Sequence, residues 1–174
     1  MDEGPRLAYL IVTGTTTAPR AGELVAGLLG MVDQVITIAT PNAARVIALR
    51  DLSVLPGNRL VESYFDAAIL PRPPDGLLLV APCSFNSLNK LAHGIADNLA
   101  LSVAAEAIGR GTPVLVAVSV NPPLWHHPQT SRSVATLRDW GVTVIDPVEE
   151  PDGYLRMAPT EDILSAVKRR LAST

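Results

Sequence analysis

The sequence predicts an α/β domain in which a parallel sheet is covered by helices on both faces. Three observations predict it. Short apolar runs recur at residues 7–12, 35–39, 77–81, 114–120 and 142–145, without the polar alternation of a half-exposed sheet, as expected of strands buried on both faces. Segments with apolar residues at helical spacing lie between the runs. The chain is also long enough, at 174 residues with 48% apolar and 18% charged residues, to bury one core of its own.

The elements follow in order. The first run ends in Thr13, Gly14, Thr15, Thr16 and Thr17, and Pro19 then opens a helical pattern of Leu24, Val25, Leu28, Leu29 and Val32. The second run leads through Thr40, Pro41 and Asn42 into a short helical pattern of Ala43, Val46, Ile47 and Leu49. The third leads through residues 82–86 into a helix carrying Leu88, Leu91 and Ile95. The fourth passes Trp125 to a helix containing Val134 and Leu137, and the fifth precedes a last helix from about residue 161 to 171. Strands alternating with helices imply a parallel, doubly covered sheet. Two segments break the alternation. Residues 51–76 contain Pro56, Pro71, Pro73 and Pro74 with the aromatic pair Tyr64 and Phe65, and residues 146–159 contain Pro147, Pro151 and Gly153. Long loops in such domains serve as lids or contact surfaces.

Composition excludes several classes of function. A net charge of −3 and a single run of adjacent basic residues, Arg169 and Arg170 with Lys168 before them, argue against nucleic acid, whose phosphates call for more extensive clusters of Lys and Arg. No apolar run approaches the ~20 residues that span a bilayer. The first ten residues carry acids where a signal peptide would carry bases, which places the chain in the cytoplasm. Cys83 is alone, so no internal disulfide forms, and three scattered histidines give no metal-ligand spacing.

Open α/β sheets bind ligands beyond the carboxyl ends of their strands, and three such ends carry unusual residues. At the first, Gly14 permits close backbone approach, the threonine hydroxyls of Thr15, Thr16 and Thr17 donate, and the following helix turns its positive end toward the loop. Phosphate binding and simple helix capping by Thr15 or Thr17 both fit this turn. One glycine is not the GxGxxG fingerprint, so a dinucleotide site is disfavoured. The second end is residues 81–99, with Pro82, Ser84, Asn86, Ser87, Lys90, Ala92, Gly94, Ile95, Asp97, Asn98 and Leu99. The third is residues 118–128, with Asn121, Leu124, Trp125, His126 and His127.

The second segment resembles the P-A-S/T-A-N-T and K-x-A-x-G-I-x-D-N/D-L patterns of the homo-oligomeric flavin-containing cysteine decarboxylases, and the third is similar to their P-x-M-N-x-x-M-W motif. Thr40, Ala43 and Val46 match a T-x-x-A-x-x-F pattern, and Arg156 with Met157 matches a late R-M. The resemblance covers nearly the whole chain. It implies a single Rossmann-like (flavodoxin-like) domain over residues 1–174 and FMN held among Gly14, Thr15, Thr16, Thr17, Thr40, Ser84, Asn86 and Ser87. It also implies a homo-oligomer, a trimer or a multiple of trimers, with the flavin shared between protomers. In that family the flavin takes a hydride from the carbon bearing the substrate thiol, and carbon dioxide then leaves to give an enethiol. The motif asparagine, here Asn121, holds the carboxylate; a neutral amide orients it without opposing its departure.

The chain departs from the pattern in places. Alignment on Pro82 puts Ala68 where the family has an active-site histidine, and no histidine occurs before residue 93. The flap cysteine of the phosphopantothenoylcysteine branch is missing from residues 146–157, and Val118, Val120 and Leu124 replace Pro, Met and Met. His126 is the candidate replacement base. Cys83 reads as a packed thiol, His93 as structural, Trp125 as an interface anchor, and Asp97 with Asn98 as holding a helix. The leading expectation is an FMN-dependent oxidative decarboxylase of a cysteine-derived carboxylate, either a peptide C-terminus or a phosphopantothenoylcysteine-like thiol. The lost flap cysteine favours the peptide. The alternative is a catalytically impaired FMN-binding subunit, partnered with a histidine-bearing paralogue or regulating another protein. An FMN prenyltransferase comes third, and a flavodoxin, which leaves the asparagine–tryptophan motif unexplained, comes last.

Overall fold

The computed structural model describes residues 7–69 and 76–173. The readings made at Met1–Arg6 and at Pro71, Pro73 and Pro74 lie outside them. Six parallel strands form one sheet: β1 (Leu7–Val12), β2 (Gln34–Ala39), β3 (Asn58–Leu60), β4 (Leu77–Cys83), β5 (Val114–Val118) and β6 (Thr143–Ile145), in the order β3-β2-β1-β4-β5-β6. This is the doubly wound order, and without the three-residue edge strand β3 it reduces to the flavodoxin order. The predicted fold class is therefore what the chain adopts.

Strand alternation divides the core. Ala8, Leu10 and Val12 of β1 and Leu77, Leu79 and Ala81 of β4 pack on one face with Leu24, Val25, Leu28, Ile163 and Val167. These belong to α1 (Ala21–Leu29) and α7 (Thr160–Leu171). Tyr9, Ile11, Leu78, Val80, Val116 and Val118 face the other way, against Leu88, Leu101, Val103, Ala104, Val134 and Leu137. Those residues come from α3 (Phe85–Ala92), α4 (Leu99–Arg110) and α6 (Pro128–Asp139). Both faces of the central strands are fully buried, which is why the runs lack polar alternation.

Several details differ from the sequence reading. The helix expected to include Ile95 stops at Ala92, because Gly94 adopts φ +67° and closes the end with bonds from Gly94 N to Leu91 O and from Ile95 N to Lys90 O. Ile95 is left 47% exposed. The helix expected from Ala43 to Leu49 is a 3-10 turn, Ala43–Arg45, followed by the separate α2 (Leu49–Ser53), since Ala48 between them is extended. Helix α4 has no counterpart in the predicted elements; Asn98 caps it, its Oδ1 accepting from Leu101 N. The second irregular segment holds a small antiparallel hairpin, β7 (Val148–Glu149) with β8 (Leu155–Arg156).

Candidate functional site

The chain reverses direction across the sheet between β1 and β4, so the crevice forms where their carboxyl ends diverge. Thr13, 1% exposed, bridges it. Its Oγ1 donates to Pro82 O at 2.7 Å and accepts from Ser84 N at 2.9 Å, fixing the β1 turn to the loop after β4. A second link reaches β5, where Thr17 Oγ1 and Ser119 Oγ lie 2.7 Å apart. Thr15 Oγ1 lies 2.9 Å from Thr17 Oγ1 and accepts from Thr17 N at 3.3 Å. These hydroxyls hold three strand ends in register, and Thr17 makes no side-chain cap at the helix that follows. Sequence reasoning singled out Thr15 and Thr17 but gave no separate role to Thr13 or Ser119.

Gly14 faces the loop after β2. A Cβ placed on it would lie 2.7 Å from the Asn42 backbone, nearer than real Cβ contacts allow. A cavity of about 330 Å³ opens there, lined by Gly14, Thr40, Asn42, Ser84, Asn86 and Ser87 and closed by Lys90 and Asp97, whose Nζ–Oδ2 distance is 2.6 Å. Ser84 caps α3, its Oγ accepting from Ser87 N at 3.1 Å. The first two amides of that helix, Phe85 and Asn86, remain free of helical partners at its positive end. Gly14→Val is expected to push the residue 40–42 loop outward and lower the flavin retained on purification several-fold, with little change in far-ultraviolet dichroism. Wild-type flavin content in that variant would show that the close approach is incidental.

A larger cavity of about 830 Å³ shares Gly14, Ser84 and Asn86 and extends over Ser119, Asn121 and Leu124 to the β7–β8 hairpin. Asn121 caps the short helix α5 (Pro122–Trp125), and its Oδ1 accepts from Leu124 N at 3.1 Å. That bond fixes the amide orientation and leaves Nδ2, with two hydrogens, as the group able to donate to a ligand. The six sequence-predicted residues Gly14, Thr15, Thr16, Thr17, Ser84 and Asn86 meet Asn121 at this cavity, while Thr40 and Ser87 line the smaller one.

His126 is exposed and lines neither cavity. His127 caps α6, its Nδ1 accepting from Gln129 N at 3.0 Å, and its ring meets Phe85 edge-on. Ala68 sits in a 3-10 turn, Ala67–Ile69, half-buried against the core. Asp66 holds that turn: the Ala68 amide donating to it, and then the Arg59 guanidinium, keep its carboxyl below the usual carboxylate range. Cys83 is fully buried, and burial pushes its thiol up, so it stays protonated and packed. Among the described residues no cluster of three or more His, Cys, Asp or Glu is placed to hold a metal, and no helix is long and apolar enough to cross a membrane.

A family model described as Flavoprotein matches residues 1–172. The chain belongs to the Flavoprotein family. The resemblance carried by residues 81–99 and 118–128 is thereby borne out. This Flavoprotein member is 31% identical over 146 residues to a probable phosphopantothenoylcysteine decarboxylase of Streptococcus mutans, a match covering 79% of this chain and 80% of that protein. Its fold matches that of the FMN binding protein AtHal3, with a TM-score of 0.82 at 24% identity over 99% of each chain. It likewise matches the peptidyl-cysteine decarboxylase EpiD, with a TM-score of 0.78 at 21% identity over 93% of this chain and 98% of the other. Other curated relatives are longer, and the chain spans 41%, 49% and 35% of three of them.

Proposed function

We propose that the chain binds FMN in the two joined cavities and acts as an oxidative decarboxylase on the C-terminal cysteine of a peptide. The observation that carries this reading is the meeting of three strand ends through hydroxyl and backbone groups, with the Asn121 amide hydrogens without a partner among the described residues. The residues present fit the cofactor. Gly14 lets the β1 turn pass against the Asn42 backbone at the smaller cavity, and Thr40, Ser84, Asn86 and Ser87 offer hydroxyl and amide donors there beside the free amides of α3. When bound, FMN accepts a hydride from the substrate carbon that bears the thiol.

Asn121 then holds the carboxylate by an uncharged donor, which orients it without the stabilisation that a cation would give to the departing group. Oxidation beside the thiol provides the electron sink for loss of carbon dioxide, and an enethiol remains. The hairpin residues 148–156 contain no cysteine that could reduce this product. That favours the peptide over the phosphopantothenoylcysteine-like substrate. EpiD, a fold neighbour, is itself a peptidyl-cysteine decarboxylase.

A trimer, or a multiple of trimers, belongs to the same reading. Phe65, 84% exposed, and Ile95, 47% exposed, are apolar groups that such contacts would cover. The test is direct. Purified protein should be yellow, release FMN on denaturation and scatter light as a trimer or its multiple, and anaerobic mixing with cysteine-terminated peptides should bleach the flavin with loss of the mass of carbon dioxide. Colourless protein that cannot be reconstituted with FMN would sink the proposal.

A second reading rests on the absence of histidine from the residues lining both cavities and on Ala68 in the turn that resemblance assigns to a base. In that reading the chain is an FMN-binding subunit that binds carboxylate ligands and turns over slowly unless a histidine-bearing paralogue joins it. Flavin retention with no bleaching by any peptide is its signature.

A further inference from the structure

We infer that Glu150 is a specificity residue that selects peptides carrying a cationic group upstream of the terminal cysteine and rejects phosphorylated ligands. The inference rests on the peptide-decarboxylase reading and deepens it. Three charged residues line the cavity that holds Asn121: Arg20, Glu150 and Arg156. Two are already committed. Arg156 Nη2 pairs with Asp152 Oδ2 at 3.2 Å, and its guanidinium carbon stands 5.9 Å from the centre of the Tyr154 ring. Arg20 donates to Met157 O at 3.2 Å and to Ala158 O and Thr160 Oγ1 at 2.8 Å each, tying the base of the hairpin to the start of α1. Thr160 Oγ1 passes the interaction on to Glu23 Oε2 at 3.1 Å, so an acid stands behind this arginine also.

Glu150 differs from both. Its amide closes the hairpin by donating to Tyr154 O at 2.9 Å, which fixes the backbone and sets the residue, half-buried, on the cavity wall. Its carboxylate has no hydrogen-bond or ion-pair partner among the described residues. A ligand entering under the hairpin thus meets one carboxylate without a partner, beside two guanidiniums that already donate within the fold. An ammonium or guanidinium on the peptide gains a partner there, whereas a phosphate meets like charge at Glu150 and has to compete with Asp152 for Arg156 and with the bonds of Arg20. The terminal carboxylate is taken by the neutral Asn121, so the two ends of the peptide are read by different chemistry: hydrogen bonding at one and charge at the other.

The test uses FMN-loaded wild-type protein, E150Q and E150R, with acetylated tripeptides ending in cysteine that carry Lys or Glu at either preceding position, and phosphopantothenoylcysteine. Binding is read from the change in flavin absorbance and by calorimetry. Wild type should bind the better Lys peptide about tenfold more tightly than its Glu counterpart and than the phosphorylated ligand. E150Q should bring the ratio near one, and E150R should invert it. Because the Glu150 side chain makes no bond in the fold, neither variant has structure to lose. An unchanged Lys-to-Glu ratio in E150Q, or tighter binding of the phosphorylated ligand by wild type, overturns the assignment. The same tripeptides ending in alanine separate the two proposals. Equal binding with the same charge preference leaves Glu150 standing and removes the cysteine reading, and binding of neither series removes both.

Discussion

Asn121→Asp is expected to leave flavin content and melting temperature unchanged while weakening cysteine-terminated ligands by about a hundredfold. The reason is the division of labour within one side chain. Oδ1 accepts from Leu124 N and starts α5, a task for which Asp and Asn serve almost equally well. Nδ2 is the donor that the proposed function turns to the ligand, and in Asp an ionised oxygen takes its place. A hydrogen bond to a charged group contributes about 1.5–3 kcal/mol, which is roughly a factor of ten to a hundred, and repulsion between two carboxylates adds to the loss. Asn121→Ala separates the two tasks, because it removes the donor and the cap together and should lower stability by about 1 kcal/mol as well. Calorimetric titration of both variants with a C-terminal cysteine peptide and with its amide checks the argument. If wild type binds acid and amide equally, Asn121 does not hold the carboxylate.

What the sequence disclosed of this arrangement depended on contrast. Strands β1, β2, β4 and β5 stood out because short, unbroken apolar runs bounded by turn residues mark strands covered on both faces. β3 did not, since three residues, Asn58, Arg59 and Leu60, with the middle one exposed, make no run. Helix α4 was missed for another reason: four of its apolar residues are Ala, so its buried face of Leu101, Ala104 and Ala107 gives a weak apolar signal against the polar row Ser102, Glu106 and Arg110. The site was legible where long motifs marked it, at Ser84, Asn86, Ser87 and Asn121. The links that assemble it were not. A threonine or serine after a strand is commonplace, and only the strand order brings Thr13 to Pro82 and Thr17 to Ser119, 69 and 102 residues away along the chain. The hairpin was hidden for a third reason. Two-residue strands in a segment rich in Pro and acids carry no periodicity, and only the bond from Glu150 N to Tyr154 O sets that residue on the cavity wall.

The remaining large effect concerns the position that resemblance assigns to a histidine. Ala68→His is expected to raise the rate of decarboxylation of a cysteine-terminated peptide by about 10²–10⁴, the usual contribution of general acid–base help. His126→Ala is expected to be silent, because His126 is exposed and borders neither cavity. The turn is suited to the change. Asp66 Oδ1 accepts from Ala68 N at 2.8 Å and is paired with Arg59 at 2.7 Å, so the backbone there is held by bonds that a new side chain leaves untouched. Ala68 is half-buried and does not line the cavity around Asn121 of its own chain. An imidazole at this position would therefore act on a neighbouring protomer's cavity, and the gain should disappear under dilution that separates the proposed trimer. Single-turnover bleaching of the flavin, followed with and without such dilution, distinguishes the outcomes. A gain that survives in monomers would place the base within one chain, and no gain in an intact, flavin-loaded trimer would remove Ala68 from the reaction. Brisk turnover by the unmodified protein that is lost in His126→Ala would move the base to His126, just past α5, and refute the impaired-subunit reading.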